Sequence, residues 1–196
     1  MPWQKSFDQS EVLERAMQAF WAHGFEATSM QDLVDCTGVH RGSLYATFGD
    51  KRSLFIRALQ TYDARFRGEL LEELEREFAP LDAIERLLRV FVDRLGQPGQ
   101  VPGCFLTNTA LELAMHDVEI GRIVAHAQEQ VQAFFARMIA RGQVRGEIGP
   151  HVNAAPTASA LLASLIGLAV LARSRPEPAL LNGVIDQAMA SVRGRP

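Results

Sequence analysis

The sequence predicts an all-α fold of about nine helices, with a compact three-helix unit over residues 1–50 and a larger helical body over 51–196. Three observations carry this. Apolar residues recur every three or four positions from segment to segment, the period of a helix with one buried face. Ser, Asp and Pro stand where these segments begin and Gly where they end. Residues 29 to 51, SMQDLVDCTGVHRGSLYATFGDK, fit a capping signal, a tight turn and a second short helix into one window, the layout of a helix-turn-helix.

The first helix is read over residues 7 to 23, with Phe7, Val12, Leu13, Ala16, Met17 and Phe20 inward and Gly24 as its stop. Ser29 and Asp32 form a capping box, which satisfies free amides at the start of a helix that turns Met30, Leu33 and Val34 to the core. Gly38 supplies the left-handed backbone that ends that helix, and Val39 anchors the turn. From His40 a third helix buries Leu44 and Phe48, four apart, leaving Arg41, Gly42, Ser43, Tyr45 and Thr47 outside. Such a face suits DNA. Arg41 can hold guanine bidentately in the major groove, a contact that discriminates between bases by about 1–3 kcal/mol. Gly42 allows close approach of backbone to duplex, while His40, Ser43, Tyr45 and Thr47 offer polar groups to phosphates or base edges. Asp50 caps the next helix, and Lys51 in its first turn can clamp a phosphate together with the helix amides. Residues 36 to 57 carry a net charge of +3 in a chain whose total is -3.

The stretch from Phe25 to Leu54 also resembles the DNA-binding domain of TetR-family transcriptional regulators, whose pattern runs roughly G-x-x-x-T-[TS]-x-x-x-[IL]-[AV]-x-x-x-G-V-x-x-G-[ST]-L-Y-x-x-F-x-x-K-x-x-L. Thr28, Ser29, Leu33, Val34, Gly38, Val39, Gly42, Ser43, Leu44, Tyr45, Phe48, Lys51 and Leu54 fall on it in register. Ala46 and Thr47 stand where that family often has bulky residues or histidine. The resemblance implies a homodimer that binds double-stranded operator DNA through this domain, with a helical remainder that diverges with the ligand.

Beyond Asp50, an apolar stripe of Leu54, Phe55, Ala58, Leu59, Tyr62 and Phe66 predicts a helix to about 77, long enough to act as a lever between the two parts. Pro80 starts a helix with Leu81, Ile84, Leu87, Leu88, Phe91, Val92 and Leu95 on one face, ending at Gly96. QPGQVPG, residues 97 to 103, reads as a loop. Cys104, Phe105, Leu106, Leu111, Leu113 and Met115 line a further helix, and Asp117 opens a long one to about 141, with Gly142, Gly146 and Gly149 marking the break after it. Residues 152 to 172 carry no charge and are long enough for a membrane span. Asn153, Pro156, Thr157, Ser159 and Ser164 interrupt the run, so no membrane is expected and the helix is read as buried on all sides. Ser159, Ala163 and Gly167, with Ala160 and Ser164, make a flat seam of small residues. Together with a last helix at about 178–192, it predicts half of a symmetric four-helix dimer interface.

Composition bounds the function. A chain of 196 residues, 47% hydrophobic, buries a sizeable core, and the amino terminus has no signal-peptide pattern, so a cytoplasmic location is expected. No phosphate loop, dinucleotide fingerprint, HExxH, CxxC or nucleophile elbow is present, so no enzyme and no cofactor are expected. Cys36 and Cys104 have neither disulfide nor zinc spacing. A regulator that releases DNA on binding a small effector is the leading reading. Phe91, Phe105, Met115, Phe134, Phe135 and Met138 are candidate pocket walls, with Asn108, His116 and His126 as polar anchors. Cys104, at a helix start after Gly103, is a pocket residue or alternatively the thiol of a redox or electrophile sensor. An interaction protein that keeps the fold without binding DNA is the third class.

Overall fold

The structure is a computed structural model that describes residues 7–95 and 103–193, apart from the side chain of Phe66. The expected helix end at Gly96 and the loop at 97–102 lie outside the described residues. Within them stand α1 (Gln9–His23), α2 (Met30–Thr37), α3 (Arg41–Phe48), α4 (Lys51–Tyr62), a π-helical segment (Asp63–Glu69), α5 (Leu70–Glu77), α6 (Pro80–Arg89), α7 (Phe105–Glu112), α8 (Val118–Val144), α9 (Ala154–Ser174) and α10 (Pro178–Arg193). No strand occurs among the described residues. Since α4, the π segment and α5 follow without a gap, they form one continuous rod from 51 to 77, as the apolar stripe predicts.

Local chemistry sets most of the boundaries. Asp8 caps α1, Ser29 caps α2, Asp50 caps α4 and Asp117 caps α8, each accepting backbone N–H groups that the first helical turn leaves free. Pro80 opens α6, where its missing N–H is no loss. Gly38 closes α2 in the left-handed conformation at φ 71°. Two stops differ from the expected places. The helix expected to run to Gly96 ends at Arg89, and residues 90–95 form turns instead. Gly142 lies buried inside α8, where an added Cβ would meet Ile148, and the chain breaks instead at Gly146, which has φ 74°.

The buried residues form two cores. One gathers Val12, Ala16, Met17, Phe20 and Trp21 of α1, Leu33 of α2, Leu44 and Phe48 of α3, and Leu54, Phe55, Ala58, Leu59 and Tyr62 of α4. It is not closed by these helices alone, because Phe105, Leu106 and Leu113 around α7 and Ile120, Val124 and Ala127 of α8 complete it. Phe55 sits at its centre with no exposed surface, edge-on to Phe20 at 5.0 Å, Phe25 at 5.1 Å and Phe105 at 5.4 Å. Each such pairing stabilises by about 0.5–1.5 kcal/mol beyond the area it buries. The second core joins α5, α6 and α8–α10 through Leu71, Ile84, Leu88, Phe134, Phe135, Met138, Leu161, Leu168, Leu181 and Ile185. The rod from 51 to 77 therefore serves the first core before its π segment and the second core after it.

In the chain by itself α9 is not buried on all sides. Ala158, Leu161, Leu165, Leu168, Ala169 and Ala172 face the core, while Ser159, Ala160 and Ala163 are exposed and Ser164 and Gly167 are half-buried. The helix is long and apolar enough to cross a membrane by composition, yet only 28% of its most apolar window is buried. Its high mean hydropathy comes from Ala, Gly and Leu distributed around the whole circumference, so a bare apolar side remains.

Candidate nucleic-acid interface and cavity

The amino-terminal unit presents α3 outward. Leu44 and Phe48 hold it to the core, and His40, Arg41, Gly42, Ser43 and Tyr45 are exposed, with Thr47 half-buried. Arg41 folds along the helix toward Tyr45, its Nη2 donating to the phenol oxygen at 3.5 Å and its guanidinium carbon 5.7 Å from the ring centroid. Nothing lies within 4 Å of where a side chain on Gly42 would begin, so the space above that residue is open. Ser29 donates its backbone N–H to Asp32 Oδ2 at 2.8 Å, and its hydroxyl accepts from Asp32 N at 3.1 Å. The Ser29 hydroxyl, donating in turn, lowers the Asp32 carboxyl below its ordinary range.

Lys51 has a different setting from a free phosphate clamp. Its Nζ donates to the carbonyls of Phe25 at 2.8 Å and Thr28 at 3.0 Å and lies 4.1 Å from the centroid of the Phe25 ring. Two of its three N–H bonds are thereby committed to the turn that leads into α2. Glu112, at the end of α7, grips the same turn from the other side, accepting from Phe25 N at 3.1 Å and Glu26 N at 2.8 Å. Two further polar contacts bind this unit to the body. Arg52 pairs with Asp117 at 2.6 and 2.9 Å and with Glu119 at 2.8 Å. Arg173, at the end of α9, donates to the carbonyls of Trp21 and Ala22, at 3.1 and 2.9 Å. The Arg52 guanidinium is the chief reason that the Asp117 carboxyl falls from its ordinary 3.8 to about 2.

A cavity of about 90 Å³ opens between the rod, α6, α7, α8 and α9. Leu70, Leu87, Phe91, Leu162 and Ile166 give it apolar walls, and Arg67, Arg94, Cys104, Thr107 and Gln128 bring polar groups to it. The Tyr62 hydroxyl, also on its wall, donates to Cys104 Sγ at 3.6 Å.

A sequence profile described as "Bacterial regulatory proteins, tetR family" matches residues 12–58, and one described as "Tetracyclin repressor-like, C-terminal domain" matches residues 80–188. The chain is 30% identical to the HTH-type transcriptional regulator YezE of Bacillus subtilis (strain 168), over 95% of this chain and 96% of that protein. The chain belongs to the TetR family. A second relative, the HTH-type transcriptional repressor ComR of Escherichia coli (strain K12), is 31% identical over 96% of this chain and 89% of its own length. Among solved structures, the TetR family regulator CifR, a cysteine mutant complexed with a 26 bp double-strand operator DNA, superposes with a TM-score of 0.86 at 25% identity. That match covers 97% of this chain and 100% of CifR. This TetR-family chain is accordingly a DNA-binding transcriptional regulator, not an enzyme.

Several residues predicted to contact an effector stand elsewhere. Phe91 and Cys104 line the cavity. Phe134 and Phe135 have no exposed surface and pack in the second core, while Phe105 packs in the first against Phe55 and Tyr62. Met115, at 90% exposure, follows the end of α7 and faces solvent, and His116 and His126 are exposed. Asn108 is half-buried, and its Nδ2 has no hydrogen-bond partner among the described residues, but it does not reach the cavity wall. Helical period reveals which side of a helix is apolar, not whether a neighbour fills the space it faces. Glu112 and Arg173 give no sequence signal of their roles, because each bonds to groups far along the chain, and Gln128 gives none because it faces the cavity; the spacing of Arg67 four residues after Asp63 is the one such signal that sequence reasoning passed over.

Proposed function

We propose that this regulator is a homodimeric repressor that sets its two α3 helices into successive major grooves of a pseudo-palindromic operator and lets go when a small effector enters the cavity. The observation that supports it best is the exposed α3 face, where Arg41 and open Gly42 stand on a helix fixed only from behind by Leu44 and Phe48. In this reading Arg41 reads bases, Ser29, His40, Ser43, Tyr45 and Thr47 contact phosphates or base edges, and Gly42 admits the duplex closely. Lys51 acts mainly by holding the 25–28 turn, which aims α2 and α3, and has one N–H left for a phosphate. Dimerisation through α9 and α10 follows from the bare small-residue side of α9 and a groove beside it lined by Ala160, Leu180, Gly183 and Val184. Recognition of two half-sites one DNA turn apart, about 34–36 Å, needs such a pairing. Repression is taken from ComR and operator DNA from CifR as relatives, and the site of action is the cytoplasm.

A gel shift on the DNA upstream of the protein's own gene, across a range of salt, tests this directly. Binding that weakens steeply with salt at a two-fold footprint supports it, and a protein that remains monomeric when bound overturns it. A second reading, thiol sensing through Cys104, draws on that sulfur's place in the cavity wall. If an electrophile releases DNA from the native chain but not from Cys104→Ser, the second reading replaces the first as the mode of release.

A further inference from the structure

We infer that the effector is a small amphipathic carboxylate, held by Arg67 with help from Thr107 and Gln128, its apolar part lying against α5, α6 and α9. This rests on the reading of the cavity as an effector site. Arg67 and Asp63 are both largely buried, with side-chain exposures of 17% and 15%. The guanidinium engages Asp63 with Nε and with Nη2, the second bond at 2.7 Å. A guanidinium has five N–H donors in a rigid fork, so this pairing fixes its orientation and leaves three donors unengaged among the described residues. Donors left unmade in a half-dry site are unfavourable, and a carboxylate oxygen satisfies them with charge-assisted bonds.

Two other polar groups point to the same conclusion. Thr107 is only 8% exposed, its hydroxyl makes no hydrogen bond among the described residues, and it lines the cavity. Gln128, half-buried on the wall, likewise has an amide without a partner among them. Arg94 brings a second guanidinium to the lining, and no Asp or Glu is part of it. The lining thus offers two cations and several donors, and the acid next to it, Asp63, is already engaged by Arg67. A cavity of about 90 Å³ is small beside the 300–1,000 Å³ typical of drug-sized ligands and beside the roughly 150 Å³ that holds a benzene ring, so a short-chain or monocyclic acid enters with part of it in the open mouth, and a polycyclic one does not fit.

The test is calorimetric titration of the full-length dimer with hexanoate against 1-hexanol and with benzoate against benzyl alcohol, paired with release of labelled upstream DNA. The expected result is at least a tenfold preference for each acid over its alcohol, abolished in Arg67→Met and reduced about threefold in Thr107→Val. Arg67→Met leaves Asp63 unpaired, so Arg67→Lys serves as the folded control, and it should keep a weakened preference because the charge remains without the fork. Equal binding of acid and alcohol, or a preference that survives in both Arg67 variants, overturns the carboxylate. Release of DNA by the alcohols alone overturns it too but leaves the effector reading standing. Failure of every compound class to release DNA that the protein demonstrably binds overturns both.

Discussion

Removing the Glu112 carboxylate should loosen the DNA-binding unit without touching its DNA face. Two N–H groups lose an acceptor in Glu112→Ala, one in a part-buried and one in an exposed setting. A hydrogen bond to a charged group contributes about 1.5–3 kcal/mol net, but the exposed Glu26 N–H recovers water, so most of the effect comes from Phe25. The sum is about 2 kcal/mol, which for a chain of this size lowers the melting temperature by about 4–8 °C. Local consequences are sharper, because Lys51 is then the one charged side chain among the described residues that still bonds to the 25–28 turn from outside it. Hydrogen exchange at Phe25 and Glu26 should accelerate by at least tenfold while the amides of α10 are unchanged. Operator affinity should fall several-fold through disorder of the helix-turn-helix. An unchanged melt together with unchanged exchange at Phe25 would refute the claim that α7 holds this turn.

Three further outcomes are expected. Arg41→Ala should flatten the preference between operator and mismatched DNA by about 1–3 kcal/mol in competitive gel shifts, leaving thermal stability within about 0.5 kcal/mol. Lys51→Ala should lower stability by about 1–3 kcal/mol in urea melts, since two carbonyls lose a charged donor, and weaken binding to all sequences alike. The contribution of Asp117 is fully present above its ordinary pKa of 3.8 and is lost as pH falls toward its folded value of about 2, so Asp117→Asn should flatten the acid limb of a stability-against-pH curve over that window.

The helix-turn-helix was legible because its chemistry is local. Ser29 meets Asp32 three residues away, Gly38 needs only its own backbone, and Leu44 and Phe48 share a face by spacing. The continuous rod to Glu77 was legible for the same reason. Lys51 was not, since its partners lie 26 and 23 residues back, and a lysine in a first helical turn reads equally as a phosphate clamp. The cavity was only half legible. Phe91 and Cys104 are on it, but Phe134, Phe135 and Met115, with the same apolar character, are sorted into core and solvent by neighbours that no periodicity names. Gly142 misled in a similar way, because a glycine that admits Ile148 looks in sequence like one that stops a helix.

The wide turns at Asp63–Glu69 give the chain a phase shifter. An α-helix advances about 100° per residue, and a π turn absorbs an added residue without breaking the rod. Leu59 and Leu71 can therefore address different hydrophobic partners, each at its proper azimuth. Deleting a single residue there would leave both halves helical yet rotate one against the other by roughly a quarter turn. Such a lesion spares every side chain proposed to meet DNA, yet it turns Tyr62 against Arg67, Leu70 and Leu71 across the cavity wall, so the wall and the register between the two halves are lost together.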